Sequence, residues 1–287
     1  MAASDDLDPG QILDVSHEDH AGVEFLATSF DPGHGGRGPQ GARAGVDFAA
    51  YDTLRAWAEM LNDTQQTRIQ IGNRIKANER RGITTPQLMQ AEYEAIQDGE
   101  HRQELALRRQ YRVTAPAAVR EWQKTTPGIG EPLLARLLGH LGHPAIARPH
   151  HWEGAGTKRR LIPDRPYLRT VSQLWQYCGH GQPGRAWTGI TAEQLAGLGS
   201  PICKMLVHLV ADAACHHTGD TLWPYRNLYD ARRAATAERE HAEPCARCGP
   251  KGRPAQPGSP WKPGHQHADA HRVVGKQILA DVWKAAQ

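Results

Sequence analysis

No apolar run in the 287 residues approaches the roughly 18 that a membrane span needs. The N-terminus also lacks the basic-then-apolar pattern of a secretory signal, so a cytoplasmic protein is expected. Cysteine is scarce: five residues, an odd number with a single C-x-x-C pair, which fits reduced thiols and a metal site better than a disulfide framework. No stretch reads as rich in β-strand, and the fold class expected is all-α. Basic side chains are nearly missing from residues 1–50, where Arg37 and Arg43 face nine carboxylates. That net −7 leaves +10 for residues 51–287, within a formal total of +3. A basic body suits a polyanionic partner, because each phosphate met by Lys or Arg releases condensed counterions.

What is present divides into three parts. Residues 1–45 combine acidic groups with DPGHGGRGPQGARAG, too poor in apolar surface to offset ordering entropy, and are read as a disordered acidic arm. Residues 46–124 carry apolar positions at helical spacing over about 46–81 (Leu54, Trp57, Leu61, Ile71, Ile75) and about 86–112 (Leu88, Ile96, Leu105, Leu107). Gly82 stops the first helix; Thr85 as N-cap with Pro86 at the first helical position restarts the chain. The two should fold back as a long antiparallel hairpin, a coiled coil suited to dimerisation, followed by a short helix ending near Lys124. Residues 125–287 read as a helical nucleic-acid-binding domain. Its helices are expected at about 171–178, 191–197, 200–216, 225–241 and 267–285, and its Cys/Pro/Gly loop at 244–266.

The most informative short motif is Thr126-Pro127-Gly128-Ile129-Gly130-Glu131, a tight turn before an apolar helix that continues to Leu141. It matches a helix-hairpin-helix pattern, in which the backbone at Gly128, Ile129 and Gly130 approaches a phosphate and the amides of the next helix bind it without reading bases. Cys245-x-x-Cys248 followed by His267 and His271 gives C-x2-C-x18-H-x3-H. Two histidines four apart share a helix face and suit a structural tetrahedral zinc, with His265 able to stand in for His267. Arginine clusters occur at Arg108, Arg109 and Arg112, and at Lys158, Arg159 and Arg160 with Arg165 and Arg169. Trp152, Tyr167, Trp175, Tyr177 and Trp187 interleave with the second cluster, and aromatic faces stack unpaired bases while arginines hold phosphates. An HNH nuclease would need a strand-borne His-His dyad with a downstream Asn and His, which the chain does not show.

The order of these segments, a helical hairpin, TPGIGEPLLARLLGHLG, LRTVSQLWQYCGHG, GSPICKMLVHLVADAA and RVVGKQILADVW, resembles the C-terminal part of the bridge-RNA-guided DEDD insertion-sequence transposases. The resemblance covers about residues 50–285. Their carboxylate-bearing RuvC-like domain has no counterpart in residues 1–45, and the nearest match to their Ser-Gly nucleophile step is Thr188-Gly189. A hairpin plus this core without a nuclease is similar to the nuclease-free Tas proteins of tandem interspaced guide RNA systems. That resemblance implies a Nop-like domain in a bacterial or phage-encoded homodimer. It further implies that the protein binds a guide RNA and targets DNA by base pairing, without nuclease activity of its own. Two other readings stand beside it: a divergent or truncated transposase, and a sequence-specific DNA-binding regulator.

Overall fold

The structure, a computed structural model, describes residues 45–154, 160–181, 199–216, 224–250 and 253–287, apart from the side chains of His151, Trp152 and Leu161. The acidic arm, the helix expected at 191–197 and the Thr188-Gly189 step lie outside the described residues. Helices dominate the rest, as the composition implied.

Helix α1 (Phe48–Arg80) starts at Asp47, whose carboxylate accepts from the Ala50 amide at 3.1 Å. This side-chain cap satisfies one of the helix's orphan donors. Its apolar positions at i, i+4 and i+7 (Leu54, Ala58, Leu61) are buried. Gly82 ends it in a left-handed conformation with φ 68°, and the Gly82 and Ile83 amides donate to Glu79 O and Asn78 O at 3.0 Å. This is the Schellman arrangement that a side chain at Gly82 would disfavour. Helix α2 (Gln87–Thr114) starts one residue later than the sequence suggested. Pro86 itself is the N-cap and Thr85 Oγ1 makes no hydrogen bond. The pair runs antiparallel: Gln65 Nε2 donates to Glu100 Oε1 at 2.8 Å near the middle, and Gln110 Nε2 to Ala50 O at 3.2 Å near the base.

Only the base of this pair enters the core. Leu54, Leu61, Leu107 and Tyr111 are fully buried against helix α4 (Glu131–Leu141), reached through the short helix α3 (Ala117–Lys124). The other wall of the core is formed by three later helices. These are α5 (Val171–Tyr177), α6 (Pro201–Cys215) and the last helix, α8 (Pro263–Ala285), with α7 (Pro224–Ala235) on its flank. The capping box between Thr170 and Gln173 sets the start of α5, and Ser200 followed by Pro201 sets that of α6. Helix α7 stops six residues before His241, where the bonding tightens from the i−4 to the i−3 carbonyl: the Ala237 amide donates to Ala234 O and the Arg239 amide to Thr236 O, both at 3.2 Å. The chain then extends alongside residues 258–261.

The segment between α4 and α5 departs from the all-helical expectation. Strands β1 (Ile146–Ala147), β2 (His150–Glu153), β3 (Arg160–Pro163) and β4 (Tyr167–Leu168) pair antiparallel as β1 with β4 and β2 with β3. The Asp164 amide, donating to Pro149 O at 2.9 Å, joins the two pairings into one ribbon.

Arg169 anchors the foot of that ribbon. Its guanidinium is buried and donates to the carbonyls of Leu141, His143 and Ile146 at 3.1, 2.7 and 3.2 Å. It also lies 5.6 Å from the Tyr177 ring centroid, while the Arg169 carbonyl accepts from Trp283 Nε1 at 2.8 Å. One residue therefore ties the C-terminus of α4, the ribbon, α5 and α8. Burial holds its pKa below the usual arginine value, and burial together with this cation pushes the His143 imidazole down to about 4, so His143 is neutral at neutral pH. Replacing Arg169 with Met should orphan the buried carbonyls of Leu141 and Ile146 and weaken the satisfaction of that of His143, which keeps the Ile146 amide at 3.3 Å. At one to three kcal/mol each, with partial relaxation, the loss expected is roughly 3 kcal/mol. Urea unfolding of the variant measures it; a change under about 1 kcal/mol would show that the carbonyls find other donors.

Candidate metal centre and basic surface

The C-x-x-C loop is held by backbone pairing before any side chain is considered. Cys245 and Ala255 exchange both hydrogen bonds, at 3.0 and 2.7 Å. The His241 amide donates to Ser259 O at 2.9 Å, and the Trp261 amide to Arg239 O at 2.8 Å. This small ribbon brings His241 beside Cys245 and Cys248, and the first turn of α8 delivers His265 from the other side.

The donor atoms of His241, Cys245, Cys248 and His265 all lie within 4.8 Å of one another. Cys245 Sγ is 3.6 Å and Cys248 Sγ 3.3 Å from His265 Nδ1. With Zn–S near 2.3 Å and Zn–N near 2.05 Å, the sulfur–nitrogen edge of a tetrahedral site is about 3.6 Å. The cluster can therefore hold a metal such as zinc without moving its ligands far. The surroundings fit the same chemistry. The Lys262 amide points at Cys248 Sγ at 3.4 Å, a contact that stabilises a thiolate. Trp261 stacks on His265 with ring centroids 3.9 Å apart and planes 6° apart, fixing the imidazole. All four ligands are at most 9% exposed, the enclosure of a structural site. Burial pushes the Cys248 thiol above its ordinary pKa, so a buried thiolate pair calls for a compensating cation.

This geometry revises the ligand set read from spacing. Cys245 and Cys248 stay, but they are joined by His241 and His265, giving H-x3-C-x2-C-x16-H. His267 and His271 gather with Asp212 of α6 instead. The reason is helical geometry: at 3.6 residues per turn, His267 lies about 200° and His271 about 240° around α8 from His265. The cysteine loop meets only the His265 face. His241 was missed because the charged segment from Tyr225 read as helix through to His241; the available signal was its four-residue offset from Cys245.

The nucleic-acid candidates are sorted as clearly. Gly128 has φ 83°, and a Cβ there would sit 2.4 Å from Ala213 O. Ile129 is buried in the core with its amide on Thr126 O at 3.4 Å. The turn's tightness is thus explained by packing on α6, and the helix start beyond Gly130 carries the Glu131 carboxylate, bound bidentately by Arg112 at 2.9 and 2.7 Å. Arg108 pairs with Glu104, whereas Arg109 is exposed. Arg169 is structural, as described above. Trp175 is spoken for, donating to Lys276 O at 2.9 Å with the Lys276 ammonium 4.2 Å from its ring centroid. Arg160, Arg165 and Tyr167 are exposed along the ribbon, Tyr167 at 46%. Lys158, Arg159 and Trp187 lie outside the described residues.

No family model, curated protein or solved structure matches the chain.

Cobalt(II)-loaded protein should show a thiolate-to-metal charge-transfer band. Cys248→Ser or His265→Ala should abolish it, and His267→Ala should leave it in place. The opposite behaviour of the two histidine variants would restore the C-x2-C-x18-H pairing. Stripping the metal with a chelator should lower the unfolding midpoint, because a preformed tetrahedral site is absent from the unfolded chain and its binding energy adds to folding.

Proposed function

We propose that the protein binds a guide RNA and carries it to target DNA, without nuclease activity of its own, with a structural zinc at His241, Cys245, Cys248 and His265. The observation that supports this reading most is the exposed basic ribbon between α4 and α5. Arg160 opens β3, Lys158 and Arg159 immediately precede it in sequence, Arg165 follows in the link between β3 and β4, and the exposed Tyr167 opens β4. Guanidinium groups beside an aromatic face meet phosphates and unpaired bases at the same time. Rooted on Arg169, such a ribbon is positioned by the core rather than by its own short strands. The surplus of positive charge beyond residue 50 works in the same direction.

In this reading the Nop-like core supports the ribbon and the α1–α2 hairpin joins two copies. The hairpin's outer part leaves Ile69, Ile83 and Leu88 exposed, Leu88 at 74%, apolar positions that a second copy would cover. Phosphate binding passes from the Gly128–Gly130 turn to the ribbon, since that turn packs on α6 and ends at Glu131. A two-stranded ribbon also fits the DNA major groove, which favours direct duplex binding as a second reading.

The distinguishing experiment is to purify the chain from cells that carry its native flanking DNA, under RNase-free conditions, and to sequence the nucleic acid that remains bound. A discrete small RNA encoded beside the gene is expected. Replacing Arg160 and Arg165 with Glu should reduce its recovery at least tenfold without lowering the unfolding midpoint. Recovery of no discrete RNA, with tight binding to duplex DNA, would instead establish the regulator reading.

A further inference from the structure

The histidines that leave the cysteine cluster are not left idle. On the opposite face of α8, His267 and His271 meet Asp212 of α6, with the three donor atoms within 4.8 Å of one another. His271 Nδ1 lies 3.1 Å from the His267 carbonyl, so this nitrogen carries the proton and donates. Nε2 then presents a lone pair, and it lies 3.1 Å from Asp212 Oδ1 without making a hydrogen bond. An imidazole lone pair 3.1 Å from a partly exposed carboxylate oxygen, directed beside it rather than at it, is repelled unless a cation lies where the two converge. A tetrahedral metal with N and O donors sets that edge at about 3.4 Å and an octahedral one at about 2.9 Å, and 3.1 Å falls between.

The second histidine is oriented the same way. Tyr229 Oη of α7 lies 2.6 Å from His267 Nδ1, and in the tautomer in which Nδ1–H donates to that oxygen, Nε2 is the nitrogen free to ligate. A hydrogen bond to the non-ligating nitrogen is the usual means by which proteins fix a metal-binding imidazole. The His267 and His271 rings lie 4.2 Å apart at 70°, and His208 of α6 stands 5.2 Å from His271 on the far side. His216, one turn beyond Asp212, places Nδ1 3.4 Å from Asp212 Oδ2. Three different helices thus contribute, and the only carboxylate in the group faces imidazoles rather than a lysine or arginine in any ion pair among the described residues.

We propose that Asp212, His267 and His271 form a second metal site, for a divalent transition metal of the zinc class, distinct from the cysteine centre. The site has two nitrogen donors and one carboxylate, with His271 buried and His267 only partly so. The remaining coordination position faces solvent on the His267 side and takes water or an anionic oxygen. Three protein donors plus an open position are the form of a reactive site, in contrast with the closed set around Cys245 and Cys248.

Metal content measured on the full-length protein, stripped with a chelator, reloaded with zinc or cobalt(II) and gel-filtered, tests this directly. Wild type is expected to hold two equivalents. The Cys245→Ser, Cys248→Ser double variant should keep one, without any thiolate charge-transfer band. Asp212→Ala and the milder His267→Ala, at a partly exposed position, should each lose one equivalent while keeping that band at full intensity. The retained band also reports that the variants are folded. A wild type that holds one equivalent, or a His267→Ala protein that still holds two, would overturn the proposal.

Discussion

A buried guanidinium whose hydrogen-bond acceptors are backbone carbonyls sets the middle of this fold. Arg169 satisfies the ends of α4 and β1 through three acceptors, and its own carbonyl takes the Trp283 indole of α8. A charge in that position is tolerated because every acceptor is a fixed dipole of the backbone and the Tyr177 ring lies alongside. The consequence reaches the surface. Strands of two and four residues do not stand alone in water, so the ribbon that presents Arg160, Arg165 and Tyr167 owes its direction to the residue at its foot.

The C-terminal helix applies a second constraint, that of angle. α8 carries His265, His267 and His271 within seven residues, yet 3.6 residues per turn sends them to two sides. One side closes on the cysteine loop, where Trp261 stacks over His265. The other meets α6 and α7, elements that already pack on α8 through Val207, Val274 and Ile278. Helix packing therefore preorganises the Asp212 group, whereas the cysteine group is brought together by the backbone pairing of residues 239–245 with 255–261.

Local signals were the readable ones. The ends of α1, α5 and α6 follow from Asp47, Gly82, Thr170 with Gln173, and Ser200 with Pro201, because caps act within one turn. The antiparallel pairing of α1 and α2 was legible from the short turn between them. What could not be read was whatever depends on partners far away in sequence. Arg169 looks like any other arginine of a basic cluster until the carbonyls of residues 141–146 surround it. Gly128 looks like part of a phosphate cradle until the Ala213 carbonyl is found where its Cβ would be. Strands β2 and β3, four residues each, are too short to show alternation. His241 was hidden by a helical pattern that in the structure ends at Ala235.

The proposal that nucleic acid is held on the ribbon between α4 and α5 is tested most directly by ultraviolet crosslinking of the purified protein to RNA, followed by mass spectrometry of the crosslinked peptides. The account predicts that nucleotide adducts concentrate on peptides spanning residues 150–168, Tyr167 among them. Adducts concentrated on the Thr126–Glu131 turn or on the α1–α2 hairpin, with the ribbon unmodified, would contradict it.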